Sequence, residues 1–124
     1  MNKAGSKAYL YHYTMKWPGP AASFGAFHTA EMVFAFDTVK LYKNTRNVPF
    51  EEKHQSLANA MSAYWVQFAK TGNPNKKDLL KWPAYDPTKD QYIEFGEVVK
   101  LDQGLRKNKL DLWDDMIADR RKNR

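Results

Sequence analysis

The chain has 124 residues, 43% hydrophobic and 15% aromatic, with 20 Lys and Arg against 14 Asp and Glu for a formal charge of +6. This allows one compact domain with a packed core and excludes wholesale disorder. Cysteine is absent, which excludes disulfides, thiolate catalysis and cysteine-based zinc sites; no apolar run approaches the ~20 residues of a membrane-spanning helix.

Residues 1–7 are short and polar, with no apolar signal-peptide core behind them, and a signal on a longer parent would be missing in any case, so localisation stays unknown. Residues 7–14 (KAYLYHYT) read as a strand: Tyr9, Tyr11 and Tyr13 fall on one face, Ala8, Leu10 and His12 on the other. Two largely apolar faces suit a strand inside a sheet. The Pro- and Gly-rich WPGPAASFG that follows is a loop.

From Val48 onward the spacing predicts a helix. Pro49 suits a first turn, and Glu51 and Glu52 suit the positive end of the macrodipole. Leu57, Ala60, Met61, Tyr64 and Phe68 share one face, widened by Trp65. Gly72 is placed as a left-handed cap, with Pro74 beyond it. Residues 91–95 and 98–101 alternate around Gly96 as a short hairpin. A last helix is predicted over 105–120, with Leu110, Trp113, Met116 and Ile117 on one face. Tyr64, Trp65 and Trp113 are assigned to faces that need burial rather than to stacking platforms for nucleic acid. The positive charge is spread along the chain, and the one dense run (Arg120, Arg121, Lys122, Arg124) reads as a solvated tail. No specific nucleic-acid partner is expected.

One strong strand, one small hairpin and two amphipathic helices are too little for a self-contained α/β domain. A lone strand with two apolar faces needs neighbouring strands to satisfy its backbone.

The segment Gly25-Ala26-Phe27-His28-Thr29-Ala30-Glu31 resembles the strip around the catalytic histidine of type-B carboxylesterases and cholinesterases. The rest follows in that family's order. EMVFAF looks like its "E…FVFG" stretch, and residues 57–75 (LANAMSAYWVQFAKTGNPN) resemble "LSDAMSRYWTNFAKTGDPN". Trp82-Pro83-Ala84-Tyr85-Asp86 matches "WPAYD". Residues 92–96 occupy the place of the late strand pair, and Leu112-Trp113-Asp114 that of the closing "FWD". The resemblance runs from about Tyr9 to Trp113. It implies that residues 1–124 are a C-terminal fragment of an α/β-hydrolase fold: α/β in class, and α+β as an isolated chain.

The resemblance also implies hydrolysis of carboxylic esters through an acyl-serine intermediate, without a cofactor. His28 is then the catalytic histidine, and Glu31, three residues on, supports it from behind. The family's G-x-S-x-G elbow is absent, since Ser6, Ser23, Ser56 and Ser62 all lie in other contexts, and the upstream acid and glycine-rich oxyanion segment are absent with it. Thr29 replaces a frequent glycine, and Phe36-Asp37 a frequent Phe-Gly. An imidazole with a pKa near ~6.5 can take the serine proton and return it to the leaving alcohol. Without the serine it has nothing to activate, so the chain alone is expected to be inactive.

If 28–31 forms a helical turn, His28 and Glu31 share a face. Two ligands do not make a metal site and no third is evident, so no metal is expected. His12 and His54 lack partners for chemistry and are read as structural. An ester substrate belongs only to the complete enzyme. The expected partners are an N-terminal esterase portion or a second copy of the chain, the unpaired edge of the tyrosine strand being the liability. The alternative reading is a noncatalytic binding or self-association module derived from the same fold.

Overall fold

The structure, a computed structural model, describes residues 5–122. Much of the N-terminal polar stretch and Arg124 of the basic tail lie outside the described residues. Strand β1 (Tyr11–Tyr13), a 3-10 segment (Gly19–Phe24), helices α1 (Met32–Ala35), α2 (Val39–Arg46) and α3 (Glu52–Thr71), strands β2 (Gln91–Phe95) and β3 (Val99–Gln103), and helix α4 (Lys107–Lys122) follow in order. The sheet order is β1-β2-β3. β1 pairs with β2 in parallel, Tyr11 opposite Ile93 and Tyr13 opposite Phe95. β2 pairs with β3 antiparallel, Ile93 opposite Leu101.

The regular strand is shorter than the predicted 7–14: Tyr11 to Tyr13 stand in register with β2, and single backbone bonds from Leu10 and Thr14 close its two ends. Ahead of it the chain stays tied down by other means. The Leu10 carbonyl accepts the Trp82 indole N–H at 3.0 Å, and the Ala8 carbonyl accepts the Tyr85 N–H at 2.7 Å. The tyrosine face packs as predicted: Tyr11 meets Trp65, and Tyr13 meets Phe34.

Helix α3 begins at Glu52, past Pro49, because Glu51 is extended and serves as the cap. The Glu51 backbone N–H donates to His54 Nδ1 at 3.0 Å, which satisfies a donor at the helix start. His54 is 2% exposed and packs against Phe34 and Phe50, so it is structural. Leu57, Ala58, Met61 and Tyr64 are buried against α1 and the sheet, and Gly72 ends the helix in the left-handed conformation at φ 73°. Phe68, predicted on the same stripe, lies in the last turns and is 47% exposed, with the Tyr9 ring edge-on to it at 5.9 Å. The hairpin closes through Gly96, where an added Cβ would run into the Thr14 hydroxyl.

Helices α1 and α2 are additions to the predicted set. α2 ends where Asn47 turns left-handed at φ 51°. α4 overturns an expectation: it buries no residue, and Trp113 is 59% exposed. Its stripe of Leu110, Trp113, Met116 and Ile117 falls at helical spacing as predicted, but all four side chains stay exposed.

Candidate active site

The site is a turn between the 3-10 segment and α1. Gly25, at φ 67°, lets the chain leave the 3-10 segment, and residues 28–31 turn into α1. The turn is closed by backbone bonds from the Ala30 N–H to the Phe27 carbonyl (3.1 Å) and from the Met32 N–H to the Thr29 carbonyl (3.1 Å). The Thr29 hydroxyl donates to the His28 carbonyl.

His28 is exposed at the tip of this turn, while Ala30 behind it is fully buried. The expectation of a regular helical turn from 28 to 31 is corrected here. Thr29 is left-handed at φ 68°, so His28 and Glu31 are not on one face of a helix. Among the described residues, no hydrogen bond or ion pair links them. Glu31 lies towards the sheet instead. Burial, and then the negative charge of Glu31, push the phenols of Tyr11 and Tyr13 up from their ordinary pKa. The Tyr13 hydroxyl is buried without a hydrogen-bonding partner.

Reasoning from sequence missed the residue that secures the turn. Trp17 donates its indole N–H to the Ala30 carbonyl at 3.0 Å and meets the Phe27 ring at 5.4 Å between centroids, so it grips both flanks of His28. Its other ring contacts are Tyr42 of α2 and Phe50 ahead of α3. A signal was available: an indole N–H in a Pro- and Gly-rich loop must find an acceptor when it is partly covered. Val33 and Phe34 of α1, 4% and 0% exposed, anchor the other end of the turn against α3.

This arrangement presents one imidazole on a rigid turn. An imidazole can serve as a base towards a hydroxyl, but that nucleophile must be brought to it. Among the described residues no serine is bonded to His28: Ser23 Oγ donates to the Pro20 carbonyl, and Ser56 and Ser62 lie on α3. Among the described residues, no group of three His, Cys, Asp or Glu side chains could hold a metal. Nor is any helix long and apolar enough to cross a membrane.

The described layers superpose on enzymes of the α/β-hydrolase fold. A PNB esterase structure matches with a TM-score of 0.74 at 21% identity, over 88% of this chain and 22% of that one. A thermophilic PNB esterase matches with a TM-score of 0.70 at 23% identity, over 83% and 21%. The sequence profile described as the Carboxylesterase family matches residues 1–113. Human Carboxylesterase 5A is 34% identical over 121 residues, 92% of this chain and 20% of the relative. The medium-chain fatty acyl-CoA hydrolase precursor of Anas platyrhynchos is 30% identical, over 96% and 22%. The chain belongs to the carboxylesterase family, and it spans about a fifth of the length of these relatives.

Proposed function

We propose that this chain is the C-terminal, histidine-bearing segment of a carboxylic ester hydrolase, with His28 as the general base that acts on a serine supplied by the rest of such an enzyme. The observation that carries this reading is the Trp17-clamped turn, which holds an exposed imidazole within the span that matches the family. A base must keep one orientation to take a proton from a hydroxyl and hand it to the leaving alcohol. Trp17 and the buried Ala30 fix the backbone on both sides of His28, while the ring stays free for a nucleophile on one nitrogen and an acid on the other. Glu31 reaches His28 through the backbone of the turn, as a positioning residue.

The chain alone is expected to be inactive, because no serine stands beside His28 and the glycine-rich oxyanion segment is missing. Hydrolysis of a simple aryl ester is the test, with the chain alone and after mixing with an amino-terminal esterase portion. Activity only in the mixture, lost on His28→Ala, is the expected result.

A further inference from the structure

His54 sits where the start of α3 meets the turn that carries His28. Its Nδ1 accepts the Glu51 backbone N–H at 3.0 Å. An imidazole nitrogen accepts only while it carries no proton, so this bond requires the neutral ring with its proton on Nε2. The ring is buried, 5.2 Å from the centroid of Phe50 and 6.4 Å from that of Phe34. Phe50 in turn meets Phe34 at 5.9 Å and Trp17 at 5.3 Å. Phe34 lies on α1, just beyond the turn, and Trp17 holds the Ala30 carbonyl. The rings that enclose His54 are therefore the rings that back the turn. The far part of α3 is held separately, by Tyr64 against Trp82 and Phe95.

A proton on Nδ1 turns that acceptor into a donor facing a donor. The Glu51 N–H loses its partner, and a cation is left among aromatic rings away from water, so the imidazolium must leave its seat. Three charged groups act on the ring: Lys53 on its own helix, Glu51 ahead of it and Glu97 in the hairpin turn. Burial and then Lys53 favour the neutral ring and outweigh the opposing pull of Glu51 and Glu97. Both carboxylates already have a cation, for Lys53 Nζ lies 3.8 Å from Glu51 and 3.4 Å from Glu97. From α1 and from the segment ahead of α3 the ring meets Phe34 and Phe50, neither of them charged. We propose that His54 is a proton-operated latch on the His28 turn: neutral, it keeps Phe50 and Phe34 seated behind Trp17 and the turn closed, and protonated it leaves its seat and the turn opens. The latch stands on these contacts, and its control of ester hydrolysis rests on the functional reading above. Acid then opens the turn before it unfolds the rest of α3.

The test uses the full chain and residue-resolved amide exchange, corrected for intrinsic rates, over a series from about pH 7 to about pH 4. Protection at Glu51, Ala30 and Met32 is expected to fall together, at least tenfold and with one midpoint, while Met61 and Tyr64 lose less than about threefold. In His54→Gln, with His12 and His28 still titrating, the fall at Ala30 and Met32 disappears. If the glutamine reaches the Glu51 N–H, those amides stay protected throughout the series; if it does not, they exchange fast already at pH 7, and either result upholds the latch. The proposal is overturned if Glu51 loses protection while Ala30 and Met32 keep theirs, or if Met61 and Tyr64 open in step with the turn. It is overturned equally if His54→Gln shows the same acid response as the parent chain, which would assign that response to His12 or His28. A turn that opens with acid through His54, in a chain whose mixture with an amino-terminal esterase portion hydrolyses esters despite His28→Ala, would sink the catalytic reading and uphold the latch.

Discussion

The indole N–H of Trp17 donates to the carbonyl of Ala30 at 3.0 Å, two residues beyond His28. Because Ala30 is fully buried, its carbonyl has no access to water, and Trp17 is the group that satisfies it. Replacing Trp17 by Phe keeps a ring against Phe27 and Phe50 but strands that carbonyl. The expected loss is about 2 kcal/mol in urea unfolding, with faster amide exchange at Ala30 and Met32 than at α3. Unchanged exchange at Ala30 and Met32 would mean that the turn holds itself.

His54 predicts a pH dependence. Burial first, and then the neighbouring Lys53, lower its pKa below the ordinary histidine value, so the folded state holds it neutral. The unfolded chain therefore binds a proton more readily, and stability falls as pH drops from the ordinary value near ~6.5 through the lowered folded value. His54→Gln retains an acceptor for the Glu51 N–H and removes the titration, so its unfolding free energy varies less between pH 7 and 5. Parallel curves for the two proteins would assign the acid sensitivity elsewhere.

The Tyr13 hydroxyl is buried without a partner, and a polar group in that position costs stability. Tyr13→Phe is expected to leave the midpoint of urea unfolding unchanged or to raise it, by up to about 1 kcal/mol. A loss beyond that would reveal a hydrogen bond to the Tyr13 oxygen in solution.

Gly96 is required for space. A methyl group there collides with the Thr14 hydroxyl, which itself donates to Glu94 Oε1 at 2.9 Å. Gly96→Ala is expected to cost about 1–3 kcal/mol, and adding Thr14→Ser should recover little, since the hydroxyl oxygen remains. Adding Thr14→Ala should recover more, and the comparison is read from thermal midpoints.

The elements differ in how legible they were from sequence. α3 could be read because Leu57, Met61 and Tyr64 recur at helical spacing and Gly72 marks its end. β2 could be read because Tyr92, Ile93 and Phe95 form a compact apolar run. α1 escaped notice because four residues cannot display a period, and α2 because its start carries no side-chain cap. The stripe on α4 is real, but a period states which face needs cover, not whether a neighbour is there to cover it. The proposal of His28 rests on the motifs around it. Geometry alone offers an exposed loop histidine, and Trp17, whose indole N–H holds the Ala30 carbonyl, stands outside those motifs.

In the proposed function His28 is a base awaiting its nucleophile. The direct measurement is release of the aryl alcohol from a simple aryl ester by this chain combined with the amino-terminal part of a carboxylesterase, compared with each part alone. Turnover only in the combination, reduced about 10⁴-fold by His28→Ala with the fold unchanged, is the predicted result. Acyl-enzyme formation on the chain alone, or a His28→Ala combination with near-normal kcat, would contradict it.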